Sequence, residues 1–162
     1  MLIDFADAEE ILAWRLINDD VMGGISQSRV ELLPAATALF SGQLALENNG
    51  GFASIRRRSD KYNLDGCTGV MLKVKGDGRS YQFRVKTDDQ VDGIAYQTLF
   101  ATDAHQWQTL TLPFDSFSAS FRGKPVAGAA VLKPKQIRLI GFLMADKQPG
   151  SFFLEIAWIK SF

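Results

Sequence analysis

One cysteine and one histidine stand in a chain of 162 residues, and each scarcity closes off a class of protein. With Cys67 alone, no intramolecular disulfide can form, which excludes a small extracellular scaffold stapled by disulfides. With His105 as the lone imidazole, a zinc site built on His and Cys lacks the ligands it needs, and no metal or other cofactor is expected. A surplus of charge is missing too. The 18 Lys and Arg balance the 18 Asp and Glu, so no overall field draws the chain to nucleic acid or to an anionic membrane. No apolar run approaches the ~20 residues needed to span a bilayer. The first ten residues, Met1-Leu2-Ile3-Asp4-Phe5 running into acids from Asp7 to Glu10, have neither the basic start of a secretory signal nor the Arg-rich, acid-poor character of a transit peptide. The expected location is the cytoplasm of a bacterium.

What is present is a short-strand pattern. Hydrophobic residues make up 46% of the chain and charged residues 22%, ordinary for a globular protein. Residues 1–162 are expected to form one domain. Fourteen glycines divide the chain into pieces that alternate with period two, the signature of strands. In residues 80–87, Tyr81, Phe83 and Val85 point one way while Gln82, Arg84 and Lys86 point the other. Residues 70–75 alternate likewise, and Gly76-Asp77-Gly78-Arg79 between them predicts a hairpin turn. Further strands are expected over residues 26–33, 38–46, 51–57, 94–101, 106–112, 136–144 and 151–159. In the last of these, Phe152, Leu154, Ile156 and Trp158 share a face. Only one helix is expected, near residues 8–14, with Asp7 as its N-cap and Glu10 in a capping-box position. The fold class that follows is all-β, an antiparallel β-sandwich or jelly roll with one short N-terminal helix.

Few residues present themselves for chemistry. The segment Asn18-Asp19-Asp20-Val21-Met22-Gly23-Gly24-Ile25-Ser26 joins paired acids to paired glycines. It reads either as a site for a cation or sugar hydroxyls, or as a structured connection. Arg56 shares a strand face with Ser54 and Phe52 and is a candidate pocket wall; Arg57 faces the other way. Asp77 and Arg79 sit in the turn, and Trp107 supplies a stacking face. Phe114, Phe117 and Phe121, followed by Arg122, form an aromatic loop that either docks a partner or folds back over the core. His105 reads as a surface turn residue and Cys67 as an inert thiol. No nucleophile with an evident base appears, so no catalytic residue is assigned.

Several strings together resemble one family. They are Trp14, the Asn18–Ser26 segment, Phe40-Ser41-Gly42, Asn49-Gly50-Gly51-Phe52-Ala53-Ser54-Ile55-Arg56, Gly76-Asp77-Gly78-Arg79 with Tyr81, Trp107 with Leu112-Pro113-Phe114, Phe121-Arg122-Gly123, and Ile140-Gly141-Phe142. In this order they resemble the complex I intermediate-associated protein 30 family over nearly the whole chain. The resemblance implies a galactose-binding-domain-like sandwich and a chaperone-like, non-catalytic role in binding assembly intermediates of respiratory complex I. Relative to the family's mitochondrial members, the expectation is a bare domain without leader or amino-terminal extension. The expected partner is a protein, with a small molecule or sugar held by loops at one end of the sandwich as the alternative. The candidate ligand or partner site comprises Asn18, Asp19, Asp20, Met22, Gly23, Gly24, Ser26, Arg56, Asp77, Arg79, Trp107, Phe121 and Arg122.

Overall fold

The computed structural model describes residues 1–18, 26–47, 51–87 and 93–162. Among them run thirteen strands. The first seven are β1 (Ile3–Asp4), β2 (Trp14–Asn18), β3 (Gln27–Leu32), β4 (Ala38–Leu44), β5 (Ala53–Arg58), β6 (Gly69–Gly76) and β7 (Ser80–Lys86). The remainder are β8 (Ala95–Ala101), β9 (Trp107–Pro113), β10 (Ser118–Phe121), β11 (Lys124–Pro125), β12 (Leu139–Met144) and β13 (Gly150–Ser161). They form two antiparallel sheets. A six-stranded sheet has the order β3-β4-β13-β6-β9, with β1 also on β13. A seven-stranded sheet has the order β11-β10-β8-β7-β12-β5-β2.

Alternation along each strand places one set of side chains between the sheets. From the seven-stranded sheet come Ile55, Tyr81, Phe83, Val85, Ile140 and Phe142; from the other come Phe40, Leu72, Val74, Leu154 and Ile156, all fully buried. Aromatic rings pack both within and between the layers. Phe83 meets Phe142 edge-on at 5.3 Å, and Tyr81 reaches across to Phe152 at 6.5 Å. Burial of each such side chain contributes roughly 1.5–3 kcal/mol, so the interior is a sufficient reason for the sandwich.

The structure departs from the sequence expectations at four places. The helix expected over residues 8–14 is a single 3-10 turn, Glu10–Ala13, and Trp14 already begins β2. Glu10 does not reach back to cap. Its carboxylate accepts from Arg57 Nε at 2.6 Å and from Trp14 Nε1 at 3.2 Å. Trp14 is drawn into the core against Phe5 and Phe142, and its burial there outweighs the local helical signal.

The hairpin expected at Gly76-Asp77-Gly78-Arg79 is instead a corner. β6 pairs with β13 and β9, whereas β7 pairs with β8 and β12 in the other sheet. Alternation specified one buried face for each strand but not the partner strand. The corner is fastened by Asp77, whose carboxylate accepts from Arg79 N at 3.1 Å, Tyr81 Oη at 3.0 Å and Phe153 N at 2.9 Å.

In β13, a bulge between Ile156 and Trp158 shifts the pairing register. The buried set therefore runs Phe152, Leu154, Ile156 and then Ile159, while Trp158 leaves the core face and lies under the Lys160 ammonium. Finally, residues 136–138 precede their strand rather than opening it, because Pro134–Gln136 forms a 3-10 turn. β2 and β10 carried no expectation as strands.

Candidate functional site

The seven strands of the larger sheet contain seven cationic residues and no Asp or Glu: Arg15, Arg56, Arg57, Arg58, Arg84, Lys86 and Lys124. A chain with no net charge therefore concentrates positive charge on one layer. Pleating sends Arg57 inward and leaves Arg15, Arg56, Arg58, Arg84 and Lys86 on the outer face. Register then lines them up. One row across the sheet reads Arg15, Arg56, Gly141, Arg84, Gln97 and Ser118. The next reads Ile17, Ser54, Leu143, Gln82 and Leu99.

Arg56 and Arg57 have opposite fates. Burial would lower the Arg57 guanidinium, but hydrogen bonds to Glu10 and Tyr62 outweigh it and raise its pKa. Tyr62, buried beside it, is pushed up to about 12. Arg56 is also largely buried, with no carboxylate against it among the described residues; burial, and then the charge of Arg58, push it below its ordinary value. Burial, and then the charge of Arg56, do the same to Arg84. Among the described residues, four buried side-chain polar atoms have no hydrogen-bond partner, and three belong to this face: Arg56 Nη1, Arg84 Nε and Gln82 Oε1. The fourth, Ser41 Oγ, is on β4 of the other sheet. An unmatched buried polar group costs about 1–3 kcal/mol, more when charged, so these two donors and one acceptor are positions where water or a ligand atom would be bound. A depression of about 20 Å³ opens between Arg56, Gly141 and Arg84, with Ser54, Lys86 and Leu139 on its walls. That is room for one water-sized group.

The described residues among those singled out from sequence do not converge there. Asp19, Asp20, Met22, Gly23 and Gly24 lie outside the described residues. Asn18 ends β2 and accepts from Ser28 Oγ at 2.5 Å, while the Ser26 hydroxyl donates to Ala45 O at 3.0 Å. Asp77 and Arg79 hold the corner between sheets; Arg79 forks onto Asp146 and also donates to Ser151 O at 2.8 Å. Trp107 is on the outer face of the opposite sheet, between the ammonium groups of Lys73 and Lys75 at 5.9 and 5.3 Å from its ring. Phe121 and Arg122 form the exposed tip between β10 and β11, the guanidinium 5.3 Å from the ring. Among the described members of that set, only Arg56 is on the cationic face.

The aromatic loop divides between its two readings. Phe114 is buried and Phe117 packs on the core, whereas Phe121 is exposed. Behind them lies an open hollow of about 600 Å³ lined by Cys67, Tyr96, Phe117, Val126 and Leu132 among others. Sequence reasoning missed Arg84, Gln82 and Gln97. The signal for Arg84 was present, since it alternates outward with Gln82 and Lys86, but its alignment with Arg56 needs β12 between them.

This architecture defines a galactose-binding-like jelly-roll sandwich. Solved structures agree: a family 11 carbohydrate-binding module of a cellulosomal cellulase of Clostridium thermocellum superposes with a TM-score of 0.68 at 18% identity, covering 96% of this chain and 92% of that one. An agarase superposes with a TM-score of 0.61 at 12% identity, covering 99% of this chain and 24% of that one. These likenesses establish the fold alone.

The model of the family described as complex I intermediate-associated protein 30 matches residues 3–156, and the chain belongs to that family. Complex I intermediate-associated protein 30, mitochondrial, of Drosophila melanogaster is 26% identical over 98% of this chain and 61% of its own length. The protein of the same name in Mus musculus is 29% identical over 98% of this chain and 54% of its own. The chain thus spans a little over half the length of these relatives. Their mitochondrial location in animals overturns the expectation of a cytoplasmic, bacterial protein. A compartment is an address read by other proteins, and the composition of a neutral sandwich does not encode it.

Proposed function

We propose that this chain is a non-catalytic protein-interaction module that associates with an assembly intermediate of respiratory complex I, in a chaperone-like manner, through the outer face of its seven-stranded sheet. Residues 1–162 act as one binding domain in this reading. Family membership supplies the kind of partner. The observation that carries the choice of surface is the cationic row with its unmatched buried donors at Arg56 and Arg84. Buried polar atoms without a protein partner are completed by water, an ion or a bound partner, and here we assign them to the partner. The outward positions of this sheet alternate arginine, lysine, glutamine, serine and leucine, a surface suited to a polypeptide with acidic and apolar side chains. For that reason the sugar alternative is not taken further, although the fold is shared with carbohydrate-binding modules.

The test uses cells lacking the endogenous family member and supplied with this chain in tagged form. Co-migration of the tag with a complex I subassembly on native gels is expected. Leu99 is 68% exposed on the same face, so Leu99→Glu leaves the fold intact, adds repulsion toward an acidic partner and is expected to abolish co-migration. A chain that migrates only as free protein, or co-migration indifferent to Leu99→Glu, refutes the reading.

A further inference from the structure

We infer that Arg56 and Arg84, facing each other across Gly141, form a receiving site for a carboxylate side chain on an extended acidic segment of the partner, with Gln82 accepting a backbone N–H from the same segment. The inference rests on the interaction reading above and specifies the ligand chemistry of its surface.

Three observations combine. First, β5 and β7 both flank β12, so the backbones of Arg56 and Arg84 stand roughly 9–10 Å apart, two strand spacings. Gly141 between them contributes no side chain. A Cβ there would lie 2.5 Å from Ile55 O and 3.3 Å from Arg56 Cα. The glycine keeps the sheet closely packed and leaves the depression open between the two guanidinium groups. Second, the unmatched atoms at this place are donors, Arg56 Nη1 and Arg84 Nε, and the β2, β5, β7 and β12 strands around them hold no Asp or Glu. Both arginines line the empty, water-sized depression, and a guanidinium matches a carboxylate oxygen better than any neutral group. Third, Gln82 Oε1 is an unmatched acceptor two residues along β7 from Arg84, about 7 Å by strand rise. It requires a donor. A peptide carries a carboxylate and backbone N–H groups at such spacing; a phosphodiester group by itself carries oxyanions and no donor. The small volume of about 20 Å³ also admits the edge of a planar carboxylate more readily than a tetrahedral phosphate.

The test follows the side-chain Nε–Hε resonances of the arginines in ¹H–¹⁵N spectra of the full chain. It is titrated separately with acetyl-Gly-Glu-Gly-Glu-Gly-amide, its Gln counterpart, inorganic phosphate, and vesicles of phosphatidylcholine with anionic phosphatidylglycerol. The acidic peptide is expected to shift the Arg84 and Arg56 signals, with affinity falling as salt rises. The Gln peptide is expected not to. Arg84→Gln and Arg56→Gln each weaken the acidic peptide about tenfold or more, and Gln82→Leu weakens it less. Arg84→Met keeps the stem volume without the desolvated charge, so its Tm is expected at or above wild type. That readout separates a binding arginine from a structural one, whose loss would lower Tm. Equal response to the Gln peptide, or stronger binding of phosphate or of the anionic vesicles, overturns the carboxylate site. So does no arginine shift at all. If Leu99→Glu still abolishes co-migration with the subassembly in that event, the sheet face stands as the contact surface and only the carboxylate site falls.

Discussion

The guanidinium of Arg79 closes on the carboxylate of Asp146 in a two-point fork, Nε to Oδ2 at 2.7 Å and Nη2 to Oδ1 at 2.5 Å. Arg79 stands in the corner leading from the six-stranded to the seven-stranded sheet, and Asp146 in the corner leading back. The pair therefore latches both crossings at one end of the sandwich, and both side chains are nearly buried. Arg79 also donates to the carbonyl of Gln148.

The latch gives stability an acid dependence. Burial would raise the Asp146 carboxyl, but the hydrogen bond from Arg79 and the backbone N–H of Gln148 hold it below its ordinary value. A carboxyl held low stabilises the fold above its unfolded pKa near ~4, and that contribution is lost as pH falls through the lower folded value. Urea unfolding of Asp146→Asn is expected to show a loss of about 2–3 kcal/mol at pH 7, with the gap to wild type narrowing below about pH 4. A gap constant with pH would count against the latch.

Glu10 and Arg57 form a second such pair between the 3-10 turn and β5, with Nε–Oε2 at 2.6 Å. Glu10→Ala leaves the Arg57 charge partly buried with Tyr62 as its remaining neighbour, and is expected to cost about 2–3 kcal/mol. Replacing both by methionine is expected to restore most of the loss, because the desolvated charge goes with its partner. Additive losses in the double mutant would show that the pair is not coupled.

Two glycines within the family-like strings have a packing reason. A Cβ on Gly42 would sit 2.0 Å from Gln27 O, and one on Gly141 2.5 Å from Ile55 O, both backbone atoms that cannot move aside alone. Gly42→Ala and Gly141→Ala are each expected to lower stability by more than about 2 kcal/mol. Gly66→Ala, where φ is +78° and nothing lies within 4 Å, should cost only about 1 kcal/mol from backbone strain. Thermal melts of the three variants decide it, and equal losses would refute the close-approach account.

Asp77 and Tyr81 are coupled through the same corner. The Tyr81 hydroxyl hydrogen-bonds with Asp77 Oδ1 at 3.0 Å and Phe153 O at 2.7 Å, and burial, then the Asp77 charge, push its pKa far above the ordinary value. A double-mutant cycle of Asp77→Ala with Tyr81→Phe is expected to give a coupling of about 1–2 kcal/mol in denaturant unfolding. A coupling near zero would place the two groups in independent roles.

Much of this architecture was legible in residues 70–87. Val70, Leu72 and Val74, then Tyr81, Phe83 and Val85, declared two strands each with one apolar face, and both are there. What they did not declare is that the strands belong to different sheets, because a buried face is equally satisfied in either layer. Asp7 and Glu10 mimic a cap, and by sequence that places Trp14 on a helix. Its true position follows from Arg57, forty-three places on, which takes the Glu10 carboxylate. The site was legible only as Arg56 on an outward face. Arg84 was visible as outward too, but nothing local says that β12 lies between them or that its facing residue is Gly141.

Local alternation by itself determined that this chain is a stack of short strands with an apolar interior, since period two is a property of neighbours along the backbone. Its composition likewise determined that the chain carries no net charge. Tertiary structure alone decided where that balanced charge separates. Strand order gathers arginine and lysine onto one sheet whose described strands hold no acid, because register is set by core packing between residues far apart in the chain.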